Sequence, residues 1–464
     1  MNRTGCWLVV ICLLLGGLGR ASAQVTDATR VAAFREERAL IQKLEGEIPE
    51  TRGTTWDYGG WYRFSFTRFD DFMKDRELAD HDLRIWGTLS VEDIHQFYVR
   101  GRVTFVDWAS GDAPNGRDHD TVGPDLELGW YLFRLSRCVK KYWHQDWPVD
   151  VDVKLGRQYI EIGRGVVLSQ ILDAASIDVG NFYFGLKLFG GRSLDSQENL
   201  DVTAPMWWHD KRDFVGVQAS VKNVIPRHEP YVFWVLVDDK NSYNAIPPAG
   251  QRFGYNPQYY GFGSQGYIIR NLRYWAEYIV EEGKSQTLGT GIRANAVVAG
   301  AEYYFTGVPT RPRVELEFGR GSGDGDKLSP TDTFGGNTPG TSDHCFLAYG
   351  YHDTGVAFAP RLANLRVYRA TAACHPLERW NCLRNFELGM SYYWFEKDKR
   401  AGGVSDWRAN LQNHNLGQEF DVFANWRITS DLLWSVRWGH FCPGRAFTDT
   451  NDREYVLTSV TYSF

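Results

Sequence analysis

Residues 56–464 alternate between apolar and polar side chains with a period of two. In residues 96–107, for example, Phe97 and Val99 fall on one face and Arg100 falls on the other. Successive side chains of a β-strand point to opposite faces, so each such segment forms a strand with one apolar and one polar face. The pattern predicts an all-β protein over nearly the whole chain.

Two architectures contain strands of this kind. A soluble β-sandwich buries its apolar faces between two sheets, whereas a transmembrane β-barrel turns them toward lipid and keeps the polar faces inside. Aromatic residues near the strand ends favour the barrel, as do strands of about ten alternating residues, which suit a tilted transmembrane strand. The chain also stops on a strand, in which Val456, Val460, Tyr462 and Phe464 share a face. We therefore predict a transmembrane antiparallel β-barrel over residues 54–464.

The ending at Phe464 is similar to the C-terminal assembly signal of outer-membrane barrels. It predicts two partners, the barrel assembly machinery and outer-membrane lipid. The compartment is then the bacterial outer membrane.

The lengths of the connections predict the strand number and the orientation. The short connections are residues 93–95, 269–271 and 429–431, and the long ones are residues 240–256, 322–360 and 397–415. Short turns face the periplasm in bacterial barrels, and long loops face outward. The strands counted from both ends agree only if residues 170–192 form a hairpin that turns at Gly180–Asn181. The count is then about eighteen, an even number as expected, with both termini in the periplasm. Residues 322–360 either fold into the mouth of the barrel as a gate or extend into solvent.

Residues 1–23 have the pattern of a secretory signal peptide, with an apolar run at 7–18 and small residues at 21–23. Residues 24–53 are predicted to form a periplasmic segment with a short helix over 27–47. The sequence leaves open whether this helix plugs the pore or binds a partner.

Charge and motif content argue against several other classes of protein. The chain has 51 Lys and Arg against 57 Asp and Glu, with a net charge of −6, whereas a nucleic-acid-binding protein is expected to be basic. It contains no GxSxG, HExxH or P-loop motif, so we expect neither an enzyme nor a cofactor. The scattered histidines and the lack of CxxC pairs predict no metal site.

Five cysteines follow the predicted signal peptide, and the oxidising environment of an exported protein allows them to form disulfides. Cys374 and Cys382 flank a predicted periplasmic turn, and Cys345 and Cys442 both fall on the predicted external side. These are the two candidate disulfides, and Cys138 is left over in the connection before the fifth strand.

Charged residues on the polar faces are the candidate lining of the pore. The predicted lumen residues are Arg63, Arg84, Arg100, Arg102, Glu127, Arg366, Glu419, Asp421 and Arg437. Arg84, Arg100 and Arg102 lie on adjacent strands, and we expect no acidic residue of the same face among them. Cations that line a narrow pore attract carboxylates and lower the barrier to their passage. The alternative is a wet lumen that tolerates charge, in which neighbouring Arg and Glu cancel.

Several short segments, in order along residues 80–464, resemble segments of the alginate export family. They are Asp82–Trp86, Leu155–Gln158, Gly319–Gly323, Ala363–Leu365, Gly417–Asp421 and Phe441–Gly444. The segment around Arg437 also resembles the pore-arginine segment of that family. The resemblance implies an eighteen-stranded outer-membrane barrel that passes an anionic polysaccharide through an arginine-rich pore. Periplasmic export components are then expected as partners.

We therefore predict an outer-membrane channel that passes an anionic solute by passive diffusion, foremost an anionic polysaccharide such as alginate. The first alternative is a general or small-anion uptake porin. The second is a structural or adhesive barrel with a closed pore. Conductance and its ion selectivity separate the three.

Overall fold

The computed structural model describes most of the chain after residue 52. The described residues are 53–70, 74–113, 116–194, 211–240, 255–285, 291–327, 330–331, 333, 337–338 and 340–464. The predicted signal peptide and the predicted helix at 27–47 lie outside these residues, so the structure does not support that helix and both stay predictions.

Eighteen antiparallel strands form one sheet. Their bounds are β1 (Thr54–Asp70), β2 (Asp75–Val91), β3 (His95–Trp108), β4 (His119–Arg134), β5 (Asp150–Ile162), β6 (Leu168–Gly180), β7 (Phe184–Ser193), β8 (Arg212–Val221), β9 (His228–Asp239), β10 (Tyr255–Ile269), β11 (Leu272–Ser285), β12 (Gly291–Tyr304), β13 (Arg313–Gly321), β14 (Leu365–Cys374), β15 (Phe386–Lys397), β16 (Asn415–Arg427), β17 (Leu432–Pro443) and β18 (Arg453–Ser463). The predicted strand number is confirmed.

The sheet closes on itself. Each strand pairs with its neighbours in the sequence, and β18 pairs with β1 from Trp61↔Ser463 to Phe69↔Tyr455. Closure gives every strand a hydrogen-bonding partner on both sides, which a barrel in lipid requires. The hairpin predicted at Gly180 is also confirmed, because β6 ends there and β7 follows.

The outward face is apolar and exposed. Ile85, Phe97 and Phe262 are 55 %, 47 % and 57 % exposed, respectively, which suits contact with lipid rather than water. The sequence alternation therefore predicted correctly which face of each of these strands points outward.

The described residues contain one α-helix, α1 (Leu135–Trp143), in the connection between β4 and β5. Lys140 and Lys141 lie in its last turn, where cations favour the negative end of the helix dipole, and His144 ends it in the left-handed conformation. Sequence analysis predicted only a connection here. Among the residues that the structure describes, no helix has the length and apolarity needed to cross a membrane.

Candidate functional site: the barrel lumen

The tip of the β5–β6 hairpin, residues 158–171, bends out of the wall into the lumen. The pairing of β4 with β5 stops at Gly129↔Arg157, and the pairing of β6 with β7 stops at Leu172↔Ser193. The tip therefore has no partner strand in the wall on either side and is free to turn inward. We call it the hairpin tip.

Contacts with inward-facing residues of β8 and β11 hold the hairpin tip. The backbone N–H of Gly163 donates to Oε1 of Gln218 at 2.8 Å, and that of Arg164 donates to Oε2 of Glu277 at 2.8 Å. Gly163 has a φ of 59°, and a Cβ there would lie 2.2 Å from Glu277, so only glycine fits. The Arg164 guanidinium lies 4.8 Å from the ring centroid of Trp275.

The connection between β13 and β14 also enters the lumen, and we call its residues 340–364 the luminal loop. The backbone N–H of Tyr349 donates to the carbonyl of Val167 in the hairpin tip at 2.9 Å. The hydroxyl of Tyr259, on β10, donates to the carbonyl of Leu347 at 2.6 Å. Of the two arrangements that the sequence left open for this connection, the structure has the inward one.

Glu419, on β16, anchors the far part of the luminal loop. Its Oε1 accepts hydrogen bonds from the backbone N–H groups of Val356 at 2.6 Å and Ala357 at 2.8 Å, and its Oε2 accepts one from Phe358 at 2.8 Å. The side chain of Glu419 is buried. Successive N–H groups around one carboxylate form an anion-binding concavity of the backbone.

Glu281, on β11, anchors the loop nearer its start. Its Oε2 accepts a hydrogen bond from the N–H of Leu347 at 3.1 Å, and its Oε1 accepts one from the hydroxyl of Tyr255 at 2.6 Å. Glu277 likewise anchors the hairpin tip, by accepting the hydrogen bond from the N–H of Arg164. A buried carboxylate is costly unless hydrogen bonds compensate it, so each of these contacts fixes an inward segment to the wall.

Arg369, on β14, joins the wall to the luminal loop by charge. Its guanidinium contacts Glu317 Oε1 at 2.9 Å and also pairs with Glu315 and with Asp353 of the loop. One cation thus holds two wall carboxylates and one loop carboxylate together. Arg369 is a lumen residue that was not among those predicted from the sequence.

The predicted lumen position of Arg366 is wrong. On β14 the buried, inward positions are Val367 and its alternate neighbours, so Arg366 lies on the outward face at the long-loop end. There it pairs with Asp398 at 2.8 Å, as Arg320 also does at 2.8 Å. Burial opposes ionisation of Asp398, but the hydrogen bonds from Arg320 and Arg366 outweigh it and hold the pKa of Asp398 below its usual value. The apolar residues at the even positions of β14 indicate that the even positions face outward, and Arg366 is one of these positions.

The predicted basic cluster is an ion-pair network. Glu127 lies between Arg84 and Arg100, with Oε1 3.1 Å from Nε of Arg84 and Oε2 2.6 Å from Nε of Arg100. Asp82 pairs with Arg102 at 2.7 Å and with Arg84 at 3.3 Å. The expectation that no acidic residue of the same face lies among the three arginines is therefore wrong.

The arginines of this network differ in how far their side chains are buried. The side chains of Arg84 and Arg100 are 4 % and 1 % exposed, and both guanidinium groups lie over the ring of Trp61. The side chain of Arg102 is 39 % exposed. Arg102 is therefore the member of the cluster that a solute in the lumen reaches most easily.

Three further predicted residues face inward on neighbouring strands. Arg63 follows the buried Trp61 by two residues on β1. Nη1 of Arg437, on β17, donates to Oδ1 of Asn425 at 3.0 Å. Asp421, on β16, is buried. With the basic cluster on β2 and β3, these residues form a contiguous sector of the wall that contains both signs of charge.

Comparison with known proteins agrees with this barrel. Residues 57–458 match the alginate export family, which is nearly the whole described chain. The chain belongs to the alginate export family. Together with the closed barrel, membership of the alginate export family makes the protein an outer-membrane channel. Among curated proteins, none matches the chain significantly.

Solved outer-membrane channels share the fold of this alginate export family barrel. OccK11 (OpdR) of Pseudomonas aeruginosa is 11 % identical with a TM-score of 0.54, covering 90 % of this chain and 99 % of that chain. OpdK of Pseudomonas aeruginosa with vanillate is 11 % identical with a TM-score of 0.56, covering 88 % and 98 %. OprD of Pseudomonas aeruginosa is 12 % identical with a TM-score of 0.54, covering 89 % and 97 %. At this identity the likeness establishes the fold alone.

The described part of this alginate export family chain holds its five cysteines as free thiols, so it contains neither candidate disulfide. Cys345 is buried in the inward core, whereas Cys442 lies on the outward face of β17. Cys374 ends β14, and Cys382 is exposed in the turn before β15. Placement on one side of the membrane, which was the sequence argument, does not bring two thiols into contact.

Proposed function

We propose that this outer-membrane channel passes an anionic polysaccharide, a polyuronate such as alginate, by passive diffusion through the lumen. The observation that carries the proposal is that the lumen contains built carboxylate sites. Three backbone N–H groups of the luminal loop bind the carboxylate of Glu419. Arg369 and the basic cluster bind further carboxylates of the wall.

A polyuronate carries one carboxylate on each sugar. The groups that now bind wall carboxylates are therefore of the type that a passing chain needs, and each contact can be exchanged for an equivalent one. Arginine suits this exchange because its planar fork binds carboxylates and stays charged. The partly exposed Arg102 is the first candidate for contact with the solute.

The inward segments limit how a polymer can pass. The luminal loop reaches from Glu281 on β11 to Glu419 on β16, and the hairpin tip packs against it. We therefore expect the luminal loop to leave the lumen when a polysaccharide passes. The contacts between the loop and the wall carboxylates are the ones that must break.

A small-anion uptake porin is the second candidate function. The luminal loop and the hairpin tip favour an uptake porin, because both segments narrow the lumen in the conformation that the structure describes. A small carboxylate needs a narrower path past the luminal loop than a sugar chain does. The third candidate, a structural or adhesive barrel, predicts that no current passes.

The test is the reversal potential of the purified protein in planar bilayers under a salt gradient. We expect measurable conductance with a moderate preference for anions, because both signs of charge line the wall. Absence of conductance supports the structural barrel, and a preference for cations contradicts the proposal. Arg102→Glu should reduce the anion preference, and Arg366→Glu, which changes an outward-facing arginine, is the matched control.

The proposed orientation places both termini in the periplasm. Phe464 pairs with Gly60, and the N–H of Ser463 donates to the carbonyl of Asp431 in the short turn before β17. The chain end therefore lies on the side of the short turns, where it is available to the barrel assembly machinery. A membrane-impermeant maleimide should label the exposed Cys382 only after the outer membrane is permeabilised. Labelling of Cys382 in intact cells of the Cys442→Ser variant, which lacks the partly exposed thiol at the opposite end of the barrel, contradicts this orientation.

A further inference from the structure

Four side chains that the channel function does not use meet on the outward face at the long-loop end of β17 and β18. His440 and Glu454 are direct partners in the register of the two strands. Cys442 follows His440 by two residues on β17, and Asp452 immediately precedes β18. The ligand atoms of His440, Cys442 and Asp452 lie within 4.8 Å of one another.

The distances among these side chains suit a bound metal ion. Nε2 of His440 lies 3.4 Å from Oδ2 of Asp452. Two ligand atoms on a tetrahedral zinc ion, each at ~2.0–2.1 Å from it, are separated by roughly the same distance. Nδ1 of His440 lies 3.5 Å from Oε1 of Glu454. A histidine that binds metal usually donates its other ring N–H to a carboxylate, and Glu454 stands where that carboxylate is needed.

We propose that His440, Cys442 and Asp452 form a zinc site on the outer rim of the barrel. Nε2 of His440, Sγ of Cys442 and a carboxylate oxygen of Asp452 are the three protein ligands, and water completes the tetrahedron. Glu454 orients the imidazole. The thiolate and imidazole select zinc over calcium or magnesium, which prefer an all-oxygen set.

Binding changes the protonation of Cys442. In the structure the thiol of Cys442 lies within 4.8 Å of the carboxylate of Asp452. A metal-bound cysteine is a thiolate, so each zinc ion that binds releases the thiol proton to solvent. The affinity therefore rises with pH.

The site ties the connection between β17 and β18 to the strand ends. Phe447 in this connection lies 5.8 Å from the ring of Phe358, in the luminal loop, and also packs against Phe441. A zinc ion outside the barrel thus restrains a segment that covers the luminal loop. The sequence did not indicate the site, because two ligands come from β17 and the third, Asp452, lies ten residues beyond Cys442 and is brought to it by the pairing of β17 with β18.

The experiment uses untagged, folded protein in detergent micelles, stripped of metal with EDTA and titrated with Co²⁺. A thiolate-to-cobalt charge-transfer band should appear with saturation at one equivalent, and Zn²⁺ should displace it. Cys442→Ser and His440→Gln should abolish the band. Glu454→Gln, which removes only the orienting carboxylate, should keep the band and weaken the affinity by about 10–100-fold.

Cys382→Ser is the matched control, because Cys382 is exposed in the turn before β15, and it should leave the titration unchanged. A protein that gives no thiolate band with Co²⁺ overturns the proposal. So does a band that survives both Cys442→Ser and His440→Gln.

Discussion

Glu419 and Val356 are 63 residues apart in the chain, yet Oε1 of Glu419 accepts a hydrogen bond of 2.6 Å from the backbone N–H of Val356. The same carboxylate binds the next two N–H groups of the luminal loop. The wall of the barrel therefore uses a carboxylate to hold the loop that crosses the lumen. A passing polyuronate offers the loop an equivalent carboxylate.

Glu419→Gln should loosen the luminal loop without unfolding the barrel. The amide keeps one acceptor and turns an N–H₂ group toward backbone donors, which costs about 1–3 kcal/mol of loop docking. We expect more frequent open events and a larger mean conductance in planar bilayers. Glu396→Gln changes a carboxylate that bonds to Trp394 beside it on β15 and serves as the control. Equal conductance of the two variants contradicts the anchoring role of Glu419.

Arg100 should contribute mainly to the stability of the barrel, and Arg102 mainly to its ion selectivity. Arg100→Gln leaves buried Glu127 short of one partner, and loss of one member of a buried ion pair costs about 3–5 kcal/mol. Arg102→Gln removes a partly exposed arginine from the buried Asp82, which keeps Arg84 at 3.3 Å, so we expect a smaller loss of stability and an effect on ion selectivity. Unfolding of each variant in denaturant, followed by heat-modifiability on gels, measures the first effect. Equal stabilities of the two variants refute the distinction.

Arg369 should control both the loop and the selectivity. Arg369→Gln leaves Glu315, Glu317 and Asp353 without their shared cation, so we expect a shift toward cation preference and easier release of the loop. Arg366→Gln, three residues away on the outward face of the same strand, is the control and should leave the reversal potential unchanged. A larger shift in the Arg366 variant would contradict the assignment of the two faces.

The docking of the luminal loop should depend on the ionisation of Asp343. Burial raises the pKa of Asp343 from 3.8 to about 6, against the pull of Lys327, whose Nζ lies 2.8 Å from the carboxylate. The folded form thus binds a proton at a higher pH than the unfolded chain does. The resulting stabilisation is fully present below pH 3.8 and is lost as the pH rises through about 6.

Hydrogen exchange of the amides around Cys345 measures this effect. The ratio of the rates in the Asp343→Asn variant and the wild type cancels the intrinsic pH dependence of exchange. We expect the wild type to lose protection relative to the variant between pH 4 and 7. A constant ratio over that interval contradicts a role for Asp343.

The alternation of apolar and polar side chains was enough to predict the barrel, because it distinguishes the outward from the inward face within each strand. The strand number followed from the turn at Gly180, since a closed bacterial barrel needs an even number of strands. Alternation failed at Arg366 because the strand is short and begins beside an irregular loop, where a shift of one residue exchanges the faces.

The contacts of the luminal loop and of the hairpin tip could not be predicted from the sequence, for a different reason. In the sequence, Glu419 and Asp82 are polar positions with no indication of what they contact. Their partners, the luminal loop for Glu419 and Arg102 for Asp82, are fixed by long-range packing and by the register between strands. The sequence therefore indicated which residues face the lumen more reliably than which of them pair.

The central claim is that the lumen passes an anionic polysaccharide, and block of single-channel current by an oligouronate tests it most directly. The comparison is an uncharged oligosaccharide of the same length at the same concentration. We expect the oligouronate to interrupt the current in a concentration-dependent way, Arg102→Gln to weaken the block, and the uncharged oligomer to have little effect. Equal block by both oligomers, or no block by either in a conducting channel, would contradict it.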